Sequence, residues 1–185
     1  CGQAPAALNA EQPMSITIDL VSSEAGRQTV RHFFLAFFYD LSRYDPGIVI
    51  VESGLPHYVP SGNPAPRTFD EFIESNFWVR GDCVQHIIRV DGLPAGYATV
   101  CSDCDHIPPE IDFELLDFYI APPYRGQGIG RQAARLVFDA HRGAWQVFEL
   151  ATNEPAKAFW HRVIDEYTGG SFENLDGGTQ QRFRN

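Results

Sequence analysis

The sequence predicts a single mixed α/β domain, and three observations carry that prediction. Segments with the two-residue period of strands alternate with segments of helical period, in the order β, α, α, β, β, β, α, β, α, β, β. No internal repeat or linker interrupts the series, and 185 residues suffice for one well-buried core but are short for two. Apolar residues at 44%, charged residues at 21% and 14 Phe match a globular chain with an aromatic core.

Residues 1–13 (CGQAPAALNAEQP) show no periodicity. They read as a leader ahead of a start at Met14, the alternative being a Cys1 exposed by processing as in a lipoprotein; the domain is taken as 14–185 and the protein as cytoplasmic. Residues 15–21 alternate as a first strand. Ser22 or Ser23 caps the helix that follows, with Glu24 in its first turn. Val30, Phe33, Phe34, Phe37, Phe38 and Leu41 then fall on one buried face. Tyr44-Asp45-Pro46-Gly47 ends that helix. Residues 52–67, with Pro56, Pro60, Pro64, Pro66, Gly54 and Gly62, read as a long loop of the kind that forms lids. Thr68 caps a short helix to about Trp78, with Phe69, Phe72, Ile73 and Phe77 inward. Residues 84–90 and 95–101 form a hairpin across Asp91-Gly92-Leu93-Pro94. A strand over 114–120, a helix over 126–141 and a strand over 145–151 follow. Pro155 suits the first turn of the next helix. Gly169-Gly170 stops it beyond Tyr167. Residues 171–174 and 179–184 close as a hairpin around Asp176-Gly177-Gly178.

Charge excludes some functions. Lys+Arg is 14 and Asp+Glu 24, a formal net charge of −10. That balance argues against a partner that is nucleic acid, and it concentrates cations such as amines near the surface. No apolar run reaches the roughly 18 residues of a helical membrane span. The four cysteines are Cys1, Cys83, Cys101 and Cys104. Cys101-Ser-Asp-Cys104 leaves a metal site, a redox pair and plain strand-end cysteines open. The plain reading leads, because no second pair completes a zinc set and Cys83 joins only if the fold brings it near. No metal is therefore expected.

The segment richest in chemistry is Arg125-Gly126-Gln127-Gly128-Ile129-Gly130, between a strand and a helix. Its glycines let a ligand approach the backbone, and the helix N-terminus adds about half a positive charge, which suits a phosphate. The order is neither G-x-G-x-x-G nor the Walker sequence. It fits R-x-x-G-x-G through Arg125, Gly128 and Gly130. No G-x-S-x-G or H-E-x-x-H is present, so hydrolase chemistry has no support.

On this loop, and on Asn153-Glu-Pro-Ala-Lys-Ala-Phe-Trp160 after the following strand, the chain resembles the GNAT (Gcn5-related) N-acetyltransferase superfamily. The likeness is clearest over 114–173, and further phrases resemble an uncharacterised branch of it. It implies a GNAT-like acyl-CoA N-acyltransferase fold: a mostly antiparallel, twisted central sheet flanked by helices. It also implies acetyl-CoA as co-substrate and acetyl transfer to a primary amine, the expected partner being a small molecule. A homodimer is compatible with it.

By the same resemblance, Arg125, Gly126, Gln127, Gly128, Ile129, Gly130 and Arg131 hold the pyrophosphate. Arg135 and Tyr124 stand nearby. Asn153, Lys157 and Trp160 follow along the cofactor's arm. The strands over 114–120 and 145–151 are expected to splay, leaving backbone groups near Phe118, Tyr119 and Ile120 to bond the pantetheine amides. Amine transfer needs a base, an oxyanion donor and an acid. Glu114, eleven residues before Arg125, is the first choice as base. Asp117 is the second; an ideal strand puts it on the opposite face, and a bulge would change that. Relatives use a Tyr as acid where this chain has Phe159-Trp160, so Tyr167 is the candidate. Tyr39, Asp40 and Tyr44, with Asp45, are candidates to recognise the amine. His86 and His161 read as structural. Two rival readings stay open: a CoA-binding GNAT-fold sensor without transferase activity, and acetylation of a protein N-terminus or Lys.

Overall fold

Seven strands form the central sheet, in the order β1 (Ile16–Leu20), β4 (Cys83–Val90), β5 (Leu93–Cys101), β6 (Phe113–Ile120), β7 (Ala144–Phe148), β9 (Gln180–Arg184) and β8 (Phe172–Leu175). Every neighbouring pair is antiparallel except β6 and β7, which run parallel. A parallel pair needs a crossover, and helix α2 (Ile129–Ala140) supplies it. β2 (Ile48–Ile50) and β3 (Pro56–Tyr58) make a separate antiparallel ribbon. The computed structural model describes residues 14–59, 68, 70, 71, 73, 82–102, 104 and 106–185. The expected leader, Pro60, Gly62, Pro64 and Pro66, and the inward places of Phe69, Phe72, Phe77 and Trp78 lie outside those residues. No described helix is long and apolar enough to cross a membrane.

Helices cover both faces. Helix α1 (Glu24–Leu41) starts where the Ser23 hydroxyl accepts from the Gly26 N–H (3.2 Å). Its buried stripe, Val30, Phe34 and Phe38, packs on Ile87, Tyr97 and Tyr119. Opposite, α2 and α3 (Glu154–Thr168) bury Val137, Phe138, Trp160 and Ile164 against Ala98, Val100 and Leu115. Tyr97 and Ala98 therefore mark the two faces, as the pleat requires. Gly96 is obligatory, because a Cβ there would collide with the Tyr119 carbonyl oxygen.

The mixed α/β architecture with a mostly antiparallel sheet is the one expected. The differences are local. Residues 56–58 are strand rather than loop, since pairing with Ile48–Ile50 satisfies their backbone. Pro56 sits at the end of that ribbon, where a missing N–H is tolerated. Helix α2 begins at Ile129, not 126, because Gly126 and Gly128 have φ of +74° and +78°, outside the helical region. Thr68 does cap a helical turn: its hydroxyl accepts from the Glu71 N–H (3.1 Å) and Glu71 accepts from the Thr68 N–H (3.1 Å).

The cysteines depart from the plain reading. Cys83 and Cys101 are directly opposite on β4 and β5 and form a disulfide. The sulfur of Cys104 lies within 4.8 Å of both.

Candidate active site

The site follows from how β6 meets its neighbours. On one side, β6 pairs with β7 only from Phe113 to Leu115, opposite Trp145 to Val147. Beyond Leu115 the two strands no longer pair, as the splay implied by the resemblance requires. Which backbone groups face the gap follows from the β5 ladder. The Ala121 N–H donates to the Ala95 carbonyl (2.8 Å). Antiparallel pairs alternate in bonding, so Tyr119 and Asp117 direct their backbone groups to β5. Those of Phe118 and Ile120 turn to the gap.

On the other side, β6 carries an extra residue. Thr99 is opposite Asp117 and Val100 opposite Leu115, so Leu116 is a bulge. Asp117 thereby shares the face of Thr99, and Glu114 that of Cys101, which is the same face. The two carboxylates are neighbours rather than on opposite sides. Leu116, Asp117 and Phe118 line a cavity of about 490 Å³ between α1, the gap and α3. Burial raises the Asp117 carboxyl to about 7; the Thr99 hydroxyl pulls it down and the Glu114 charge adds to the rise.

Glu114, the first choice as base, is not on that wall. It is buried, with Oε2 accepting from Gln146 Nε2 (2.6 Å) and Oε1 3.2 Å from His106 Nε2. A carboxylate engaged in this way braces the sheet. Tyr167 also lies elsewhere. Its hydroxyl donates to Asp139 Oδ1 (2.8 Å) and accepts from Asn185 Nδ2 (3.0 Å), and its ring packs on Phe138 and Phe183. Trp160 takes the place where relatives carry Tyr; it lines the cavity and meets Phe118 edge-on (5.0 Å).

A second cavity, of about 580 Å³, adjoins the first across Phe118 and runs past Ile120, Arg125, Gly126, Gly128 and Arg131. A Cβ at Gly126 or Gly128 would point into open space. The first main-chain hydrogen bond of α2 runs from Gln132 N–H to the Gly128 carbonyl (3.2 Å), and no side chain caps the N–H groups before it. Such a helix start can hold a phosphate. Gly130 abuts the Phe159 ring, closing the cavity floor.

The guanidiniums are partly engaged. Arg125 donates from Nε to the Ile120 carbonyl (2.7 Å), pairs with Asp40 (2.5 Å) and lies over the Tyr119 ring. It ties the loop to β6 and α1, and it occupies the carbonyl of Ile120 that was expected to serve pantetheine. Arg131 pairs with Glu166 (3.1 Å). Arg162, which sequence reasoning missed, completes the cavity rim.

Other expected residues play smaller parts. The Ile129 side chain is fully buried, so only its backbone is available to a ligand. Gln127 turns back to the Pro123 carbonyl (2.8 Å), and Tyr124 packs on the apolar cluster around Ile129. Arg135 lies over the Tyr167 ring. Asn153 lines the first cavity and caps α3 through Oδ1 to the Ala156 N–H (3.2 Å). Lys157 pairs with Glu154 (2.5 Å) and lines neither cavity.

Of the amine-recognition candidates, Tyr39, Asp40 and Tyr44 are absent from the lining of the first cavity. The Tyr39 hydroxyl donates to the Gly54 carbonyl, Asp40 holds Arg125, and the Tyr44 carbonyl accepts from Thr152 Oγ1 (2.7 Å). Only Asp45 reaches the cavity wall. Glu149 was missed. It lines the same cavity, and burial raises its carboxyl to about 7, against the pull of Gln181 and Lys157. Its signal in the sequence is the alternation Trp145, Val147, Glu149, which sets a carboxylate on an inward-facing position.

The family model described as acetyltransferase (GNAT) family matches residues 52–164. No curated protein matches the chain. Among solved structures, a GCN5-related N-acetyltransferase from Kribbella flavida is 14% identical with a TM-score of 0.57, over 92% of this chain and 98% of that one. The PaiA N-acetyltransferase from Thermoplasma acidophilum in complex with coenzyme A is 14% identical with a TM-score of 0.54, over 92% and 99%. AAC(6')-Ib in complex with ribostamycin and coenzyme A is 14% identical with a TM-score of 0.56, over 92% and 93%. At these identities the likeness is one of fold.

Proposed function

The chain belongs to the GNAT acetyltransferase family, and from that premise we propose that it moves an acetyl group from acetyl-CoA to a primary amine on a small molecule, with Asp117 as general base. One observation carries the reading. A carboxyl raised to about 7 stands on the wall of the cavity that opens through the β6–β7 gap.

The residues present fit coenzyme A. The glycine loop offers uncapped N–H groups for a diphosphate, with Arg131 and Arg162 alongside. The gap offers the backbone groups of Phe118 to an extended chain of amides, as a missing strand would be offered them. The solved neighbours in complex with coenzyme A support this use of the fold. Acetyl-CoA, when bound, supplies an activated thioester carbonyl. The chain does the rest. Asp117 takes the proton that makes the amine a nucleophile, and a pKa near neutrality suits that exchange. The Phe118 N–H faces the gap, where a carbonyl oxygen gains charge. Apolar walls, including Phe34, Phe38 and Leu116, keep water from competing. Asp45 and the overall acidity draw in a cationic acceptor. The neighbour in complex with ribostamycin supports a small molecule as that acceptor.

The test is thiol release from acetyl-CoA across a panel of small primary amines and Lys-containing peptides. Turnover with a small amine, lowered roughly 100-fold by Asp117→Asn, is expected. Bound acetyl-CoA with no transfer to any amine would sink the reading.

A further inference from the structure

We propose that Glu149 is the general acid of this reaction, giving its carboxyl proton to the coenzyme A sulfur as the thioester breaks; the proposal rests on the acetyltransferase reading above. The argument begins with the gap. The last β6–β7 pair is Leu115 with Val147. Asp117 on β6 and Glu149, one residue past the end of β7, each stand two residues beyond it, and both line the cavity between them. The bulge at Leu116 turns Asp117 to the α1 face. Glu149 follows Val147 without a bulge and keeps its face, toward α3. The two carboxyls therefore approach the gap from opposite sides of the sheet, as a base and an acid acting on two ends of one transfer should.

Glu149 is also built to hold a proton. Its Oε1 is buried with no hydrogen-bond partner among the described residues. Its Oε2 receives only a long bond from Gln181 Nε2 (3.4 Å). An ionised carboxylate so poorly solvated is costly, whereas the acid form keeps its proton on a side chain that lines the cavity. The groups acting on it are few: Gln181 from β9 and Lys157 from α3 draw its pKa down, and burial outweighs them, leaving it near 7. Trp160, on the same wall, has no ionisable proton. A carboxyl just past β7 thus stands on a wall where the α3 aromatic, Trp160, offers no proton.

The step balances. The amine nitrogen forms a bond to the acetyl carbon, the carbon–sulfur bond breaks, and its electron pair stays on sulfur. Of the two protons that the ammonium nitrogen loses on becoming an amide, Asp117 takes one before attack and the other passes to water, while Glu149 gives one to sulfur. Both carboxyls return to their starting states by exchange with water.

Glu149→Gln tests this in two ways. In the free protein labelled with ¹³C-carboxyl Glu, the wild type is expected to show one resonance titrating near neutrality that the variant lacks. In steady state, the variant is expected to lose roughly 10- to 100-fold in kcat, with KM for acetyl-CoA nearly unchanged and the alkaline limb of the kcat profile gone. A Glu149 resonance titrating in the ordinary carboxylate range, or a variant that keeps kcat and the alkaline limb, overturns the proposal alone. A loss confined to KM does the same, since it would make Glu149 part of the binding wall. A wild type that binds acetyl-CoA yet acetylates no amine overturns the parent reading together with this one.

Discussion

Asp117 and Glu114 are three residues apart on one strand and yet share a face of the sheet, because Leu116 is an unpaired extra residue between them. The bulge divides their labour. Glu114 is locked beneath Gln146 and His106, while Asp117 is delivered to the cavity. It also lets Glu114's charge help hold the Asp117 proton.

A carboxyl kept in this way has a cost in stability, and its sign is fixed. Its folded pKa, about 7, lies above the ordinary aspartate value of 3.8. It therefore favours the fold at low pH, and that contribution is lost as pH rises through 7. Asp117→Asn should raise the melting temperature at pH 8 and leave it almost unchanged near pH 4. The gain should be on the order of 2 kcal/mol, less than the full shift implies because water reaches the half-buried carboxyl. An equal change at both pH values would show that the carboxyl is not strained.

His86 has the opposite sign. Burial, then the neighbouring His141, lowers its pKa from 6.5 to about 4. Its neutral ring supports the fold above pH 6.5, and that support is lost as pH falls through the window down to 4. Thermal denaturation of wild type and His86→Gln between pH 7 and 4.5 checks this. The wild type should lose more stability across the range, by up to about 3 kcal/mol, and parallel curves would refute the assignment.

Gly128 has φ of +78° and open space where a side chain would stand. Gly128→Glu should abolish coenzyme A binding in calorimetry, since a carboxylate would enter the phosphate site. Gly128→Ala should fold with a penalty of about 1 kcal/mol and bind more weakly. Full affinity in the Glu variant would remove the loop from the binding site.

The Cys83–Cys101 disulfide closes a segment with a sequence separation of 18. Cys101→Ser should destabilise by about 3 kcal/mol in urea titrations under oxidising conditions. With reductant present, wild type and variant should converge; a difference that persists would mean the substitution acts through packing instead.

Much of this architecture was legible in residue order. The stripe from Val30 to Phe38 and the cap at Ser23 are local signals, and helix α1 formed where they lay. The glycine loop was equally readable, because positive φ and helix starts are properties of a few adjacent residues. What could not be read depends on partners distant in sequence. The Leu116 bulge exists only relative to Thr99 and Val100. Cys83 meets Cys101 through strand register, and Gln146 reaches Glu114 across a parallel pair. Counting along β6 alone therefore puts Glu114 and Asp117 on opposite faces, and only the pairing with β5 brings them to one. Glu149 escaped notice because its neighbours Gln181 and Lys157 come from other elements.

Among the described residues three rungs, Phe113–Leu115 with Trp145–Val147, join β1, β4, β5 and β6 to β7, β9 and β8, with one further bond from the Asp112 N–H to the Ala144 carbonyl (2.8 Å) at the same end. The sheet is in effect two plates joined at that end. A molecule bridging the open end would act as a splint, so occupancy should slow amide exchange in β6 and β7 together. Affinity and rigidity would then be one quantity: the tighter the splint, the less readily the plates open to let the spent carrier leave.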